Sequence, residues 1–200
     1  MRNVKLVLGA IAAAALFASC ERETSSSNLI PIDGVIRLSD QFSGNFALID
    51  KNGAAVDDED FEGKVMLVYF GFTHCPDVCP GDVGVMSATL NALGDDAGEV
   101  APIFISVDPA RDTPQALSDY FAFDERITAL TGDEDAAKAA RDGFKVYANI
   151  EPLPDSALEY TVNHQRMFFV TDRAGQPQIA ITGGIGPDEL TQLLRRQIEA

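Results

Sequence analysis

Cys75 and Cys79 stand four residues apart in the segment Thr73-His74-Cys75-Pro76-Asp77-Val78-Cys79-Pro80. On a helix that spacing puts both side chains on one face, with β-carbons about 5–6 Å apart. Two thiolates so placed can face one soft metal ion, or approach a little closer and join as a disulfide. A bridge over three intervening residues closes a very small loop and constrains the unfolded chain little. Stability is therefore a weak reason for the pair. A helix N-terminus nearby would lower the thiol pKa values and supply thiolates at neutral pH. The chain has two histidines, His74 and His164. His74 adjoins the cysteine pair, and His164, taken alone, reads as an ordinary histidine at the end of a strand.

Elements that alternate in type must position these residues. Val65 to Phe72 is an unbroken apolar run rich in β-branched and aromatic residues, as is Val100 to Val107. Such runs suit strands covered on both faces. Gly44 to Asp50, Ile127 to Leu130, Lys145 to Asn149, Met167 to Thr171 and Gln178 to Thr182 are further strand candidates. Helical spacing is clear in Asp82 to Leu93, where Val83, Met86, Leu90 and Leu93 share a face, and in Pro187 to Ile198. Thr113-Pro114 opens a helix through about Phe123, with Thr113 as N-cap, and Glu134 to Asp142 makes an Ala-rich one. Strands separated by helices predict an α/β fold with a largely parallel centre. The cysteine segment then lies beyond the carboxyl end of a buried strand, where ligands gather in such sheets.

Of the 200 residues, 46% are hydrophobic and 23% charged, which suits a globular chain with a real core. The net charge of −16 repels phosphate backbones and argues against nucleic acid as a partner. Arg2 and Lys5 precede an apolar stretch, Leu6 to Ala18, that is too short for a membrane span. A basic start, an apolar core and small residues at the end predict a secretory signal peptide over residues 1–19. Phe17-Ala18-Ser19-Cys20 is similar to a bacterial lipoprotein signal, which implies lipidation at Cys20 and a mature charge of −18 once Arg2 and Lys5 are lost. Residues 20–33 then form the lipid anchor site and a Ser-rich flexible stalk, which reaches about 40 Å when extended. Residues 34–200 form the folded domain. Its address is the bacterial cell envelope, membrane-anchored and facing the periplasm or exterior.

Three blocks carry a specific likeness. GFTHCPDVCP, FISVDPARDTP (Phe104 to Pro114) and Tyr160-Thr161-Val162-Asn163-His164 occur in order along the chain. Together they resemble the Sco/SenC family of copper-binding proteins involved in cytochrome c oxidase assembly, over roughly Pro31 to the C-terminus. The resemblance implies a thioredoxin-like fold, with a central mixed sheet flanked by helices. It also implies copper, as Cu(I) or Cu(II), held by Cys75, Cys79 and His164, with a Cys75–Cys79 disulfide as the alternative redox state. Soft Cu(I) favours thiolates, and three protein ligands leave room for a partner's ligand to enter. Asn163 and Gln165 flank the histidine where the family pattern has an acidic and a small hydroxyl residue, changes that bear on imidazole orientation. His74 is expected in a supporting role. Asp108 is either a strand-ending turn residue or an orienting one, and Arg111-Asp112 is most simply a surface ion pair.

The implied function is an extracytoplasmic copper metallochaperone serving the copper-site subunit of cytochrome c oxidase, with other copper chaperones or thiol reductants as further partners. The alternative is a thiol–disulfide oxidoreductase that reduces the cysteines of the oxidase copper site, with Cys75 attacking and Cys79 resolving. That alternative would be an enzymatic activity. A thiol peroxidase fits poorly, because Val68 and Thr73 do not match the expected positions before the nucleophile. Gly183, Gly184 and Gly186 lack phosphate-loop spacing and read as a turn. Asp57 to Asp60 reads as a solvated acidic loop.

Overall fold

Continuous apolar sequence dictates the centre of the molecule. In the computed structural model, which describes residues 34–200, every residue of β4 (Val65–Gly71) and β5 (Val100–Ser106) is buried. They run parallel, with Gly71 opposite Ser106, so both chains leave the sheet at the same edge. β5 is also parallel to β6 (Thr128–Thr131). The connections are helical: α1 (Val78–Leu93) between β4 and β5, and α2 (Pro114–Tyr120) between β5 and β6. Thr113 caps α2 by accepting from the Ala116 N–H at 3.2 Å, with Pro114 at the first helical position.

The remaining strands extend this core in antiparallel fashion. β9 (Met167–Thr171) pairs with β4, β10 (Pro177–Thr182) with β9, and β1 (Val35–Arg37) with β10. On the other side β2 (Ala47–Asp50) pairs with both β6 and β3 (Ala55–Asp57). The eight-stranded order is β1-β10-β9-β4-β5-β6-β2-β3. The sheet is thus mixed, with a parallel centre of three strands. α3 (Glu134–Phe144) starts at Asp133, whose carboxylate accepts from Ala136 N–H at 2.8 Å. α4 (Pro187–Ile198) buries Leu190, Leu193 and Leu194.

Two strands stand apart. β7 (Ala148–Pro152) and β8 (Tyr160–His164) form a separate antiparallel pair, largely exposed, in which Ala148 faces His164. The expected strand at Lys145 to Asn149 is shifted to β7, because Lys145 ends α3 with a left-handed backbone at φ 56°. α1 also begins four residues earlier than its apolar spacing implied. It starts at Val78, so Cys79, Pro80 and Gly81 are in its first turn. Proline is tolerated there because the first amides have no intrahelical acceptor. The acidic run is more ordered than a solvated loop. Asp57 caps a short 3₁₀ turn over Asp58–Phe61, and Asp58 accepts from the Phe46 N–H at 3.0 Å. The expected signal peptide over residues 1–19, Cys20 and the expected stalk lie outside the described residues.

Candidate metal centre

β4 delivers the chain to the site at Gly71, where the absence of a side chain is required. A Cβ there would lie 2.8 Å from the Phe104 ring, 2.9 Å from the Tyr69 ring and 3.3 Å from the Cys79 sulfur. Phe72 is buried, and the chain then turns, with the Cys75 N–H donating to the Phe72 carbonyl at 3.2 Å. Cys75 is half-buried just ahead of α1, and Cys79 is fully buried in its first turn. Both are free thiols.

Their environments drive the two thiols apart. The Cys75 sulfur accepts a hydrogen bond from the Cys79 thiol and further ones from the backbone N–H groups of Asp77, Cys79 and Val78. These outweigh burial and pull its pKa down to about 5. This is the thiolate stabilisation that a helix N-terminus provides. Cys79 shifts upward, first because its proton is held against Cys75 and second because it is buried. At neutral pH the pair therefore carries one charge, on the more accessible sulfur.

His164 closes the site from the other sheet. It is the last residue of β8, and its Nδ1–H donates to the Gln165 carbonyl at 3.0 Å. That bond fixes the tautomer and leaves the Nε2 lone pair facing the Cys79 sulfur at 3.6 Å. Tyr69 and Phe72 meet the imidazole edge-on, at centroid distances of 6.5 and 5.9 Å. Burial lowers its pKa, so the ring is neutral and available as a ligand. An ion bonded to sulfur at about 2.3 Å and to nitrogen at about 2.0 Å, with an angle near 115°, separates the two by about 3.6 Å. Cys79 and His164 already stand that far apart. Among the described residues no three His, Cys, Asp or Glu side chains converge on one point. The approach is pairwise, Cys75 to Cys79 and Cys79 to His164.

The second block of sequence supports this arrangement from the adjoining strand end. Asp112, expected at the surface, is fully buried. It accepts from the Ser106 and Thr73 hydroxyls, both at 2.6 Å, and from the Thr73 N–H at 3.2 Å, and so moors the start of the cysteine loop. Arg111 pairs with Asp108 at 2.5 Å rather than with Asp112. Its Nη1 donates to the carbonyls of Leu158 and Tyr160 at 3.1 and 3.0 Å, and its guanidinium lies 3.7 Å over the Tyr160 ring. The Tyr160 hydroxyl donates back to Asp108 at 2.9 Å. Asp108 and Arg111 therefore hold the strand that ends in His164, an orienting role at one remove from the sulfurs.

The neighbouring residues take lesser parts. His74 is exposed over 43% of its side chain and hydrogen-bonds only to the Thr73 hydroxyl, 3.0 Å away. The side chains of Asn163 and Gln165 do not hold the imidazole. Asn163 donates to Glu151 across the hairpin, and Gln165 accepts from the Tyr147 N–H at 2.8 Å. Sequence reasoning missed Asp82, Arg166 and Tyr69. Asp82 is buried and accepts from Arg166 at 2.6 and 2.7 Å and from the Tyr69 hydroxyl at 3.0 Å. Arg166 adjoins the third block and Asp82 the first, but nothing in their spacing announced that they pair. A surface concavity lined in part by Phe46, Asp58, Glu59 and Lys145 includes none of these residues.

Comparison with known proteins matches the same residues to one family. The SCO1/SenC family model covers residues 36–199. A sco1 protein of Schizosaccharomyces pombe is 42% identical over 142 residues, 68% of this chain and 53% of its own. The chain thus spans about half the length of that relative. A SCO2-like protein of Rickettsia conorii is 33% identical over 84% of this chain and 83% of its own. The structure of Bradyrhizobium japonicum ScoI with copper bound is 38% identical, with a TM-score of 0.72 over 78% of this chain and 99% of that one.

Proposed function

Because this chain belongs to the SCO1/SenC family, we propose that it is a copper metallochaperone, holding copper through Cys75, Cys79 and His164 and passing it to the copper-site subunit of cytochrome c oxidase. The observation that carries this reading is the His164 Nε2 lone pair, aimed at the Cys79 sulfur from 3.6 Å. Two sulfurs and one imidazole suit Cu(I), which is soft and accepts low coordination numbers. The same three groups plus a water or another protein ligand suit Cu(II).

The chemistry of loading follows from the charges. Cys75 offers a thiolate at once, whereas Cys79 must give up a proton when its sulfur bonds copper. The site with Cu(I) and two thiolates then carries −1, which neutral His164 leaves unchanged. Transfer proceeds by ligand exchange. A partner thiolate enters the open coordination position, copper is shared, and the chaperone's sulfurs leave one at a time. The thiol–disulfide oxidoreductase reading draws on the unequal thiols, yet it gives His164 no task.

Residues 1–19 serve in this proposal as a cleaved lipoprotein signal, Cys20 as the lipidated residue and residues 20–33 as the stalk. The domain then works outside the cytoplasm, tethered to the envelope membrane. Among the described residues no helix is long and apolar enough to cross a membrane.

Anaerobic Cu(I) titration of wild type and His164→Ala tests the metal assignment. One tight Cu(I) per wild-type chain is expected, weakened by His164→Ala more than the roughly 10–100-fold typical of losing an outer-shell group. Equal affinity in the two proteins, with sustained disulfide-reductase turnover, would reject the chaperone reading.

A further inference from the structure

The two halves of the site come from distant parts of the chain. Cys79 rides on α1, packed into the core, and His164 ends a hairpin that is largely exposed. Their separation depends on whatever ties α1 to the corner between β8 and β9. The direct tie is an ion pair whose carboxylate is buried and whose guanidinium is partly exposed. Arg166, two residues beyond His164, donates Nε and Nη2 to the two oxygens of Asp82 at 2.6 and 2.7 Å. Asp82 lies one helical turn beyond Cys79, with only 1% of its side chain exposed. The Tyr69 hydroxyl donates to the same carboxylate at 3.0 Å, and its ring meets the His164 imidazole edge-on. A bidentate guanidinium–carboxylate pair constrains angle as well as distance.

The surrounding backbone is shaped for this pair. The Arg166 side chain lies flat against Gly183, where a Cβ would stand 2.3 Å from Cγ and 2.5 Å from Cδ and Nε. The Gly183 N–H also donates to the Arg166 carbonyl at 2.8 Å. Gly183 therefore acts as a floor for the arginine, in addition to its place before the last helix.

We propose that the Asp82–Arg166 pair, with Tyr69 as third member and Gly183 as floor, is the positioning device that sets the Cys79–His164 separation and hence the rate at which bound copper is released. Neither member is a metal ligand. The proposal rests on the copper reading above, and it predicts that release is governed by residues behind the ligands. An arginine that only stabilised the fold would lower the melting temperature without moving the imidazole.

The test compares wild type, Arg166→Gln, Arg166→Lys, Gly183→Ala and the double variant Asp82→Asn/Arg166→Gln, with His164→Ala as reference. Cu(I) release to a colorimetric chelator is followed anaerobically, and the His164 ring nitrogens are followed by NMR in the metal-free protein. Arg166→Gln is expected to speed release about 10–100-fold, the range seen for groups that orient ligands. Arg166→Lys, which keeps the charge but loses the fork, should restore it only in part. Gly183→Ala displaces the arginine without changing any charge, and it carries the test if Arg166→Gln fails to fold. The double variant should release copper no faster than Arg166→Gln, because both break one interaction. His164 ring resonances should shift or broaden in Arg166→Gln and Gly183→Ala before any metal is added. Unchanged His164 resonances in both variants overturn the inference, whatever copper does. Should wild type and His164→Ala release copper alike, the copper reading fails, and the metal-free resonances still decide whether the pair positions the imidazole.

Discussion

The two cysteines share a helix terminus and little else. Cys75 sits where backbone N–H groups and the Cys79 thiol all point at its sulfur, while Cys79 is enclosed by the end of β4 and the aromatic rings around it. A sulfur that is charged and accessible reacts, and one that is protonated and enclosed does not. With metal-free reduced protein, iodoacetamide should therefore modify Cys75 first, as read by peptide mapping. Because its pKa is depressed to about 5, the thiolate population is already full at pH 7. The alkylation rate should stay flat from pH 7 to 9, where an unperturbed thiol would climb steeply, and should fall only as pH drops toward 5. A rate that rises through pH 8–9 would mean that Cys75 is an ordinary thiol. At this scale the sequence was partly legible. Spacing alone offered a dithiol and a disulfide on equal terms, and the family likeness singled out His164. The inequality of the sulfurs was not readable, because it depends on which residue falls before the helix and which within its first turn. Arg111-Asp112 looked like a surface pair because neighbours in sequence are easily paired on paper. In the fold they diverge, Asp112 inward to Thr73 and Ser106, Arg111 across to Asp108 and Tyr160.

Among the elements, the separate hairpin β7–β8 is the one that has to be held. Its main-chain bonds are internal, its outer residues Tyr147 and Ile150 are well exposed, and few of its side chains enter the core. Arg111 is its fastening near Tyr160, through two carbonyls and one aromatic ring. Arg111→Ala should therefore raise amide hydrogen exchange over residues 148–164 while leaving β4 and β5 as protected as before. Loss of protection throughout the sheet would instead make Arg111 a general stabiliser of the fold. The strands that show clearly in sequence are β4 and β5, since burial on both faces leaves an unbroken apolar run. β1 and β3 escape notice because strands of three residues have no room for a pattern. α1 starts earlier than its spacing suggests, because Pro80 and Gly81 look like breakers outside the special case of a first turn. The Asp82–Arg166 tie spans 84 residues of sequence, and no local pattern records a contact at that range.

For the whole molecule, the acidic balance gives a net charge of −16 and excludes partners more than it selects one. Under the proposed function placement matters more than attraction, since a chaperone tethered on a stalk would meet membrane-bound partners within a small volume. The tether itself is testable. Cells fed radioactive palmitate should label the wild-type chain and not Cys20→Ala, and wild-type protein that takes up no label would remove the anchor from the proposal. One bond also bears on how such a chain can vary over time. The His164 imidazole is aimed by the main-chain carbonyl of Gln165, a group that every amino acid supplies. Position 165 is thus open to drift without loss of aim, and a lineage can exchange its side chain for other local uses. Gly183 has no such latitude, because any side chain there collides with Arg166.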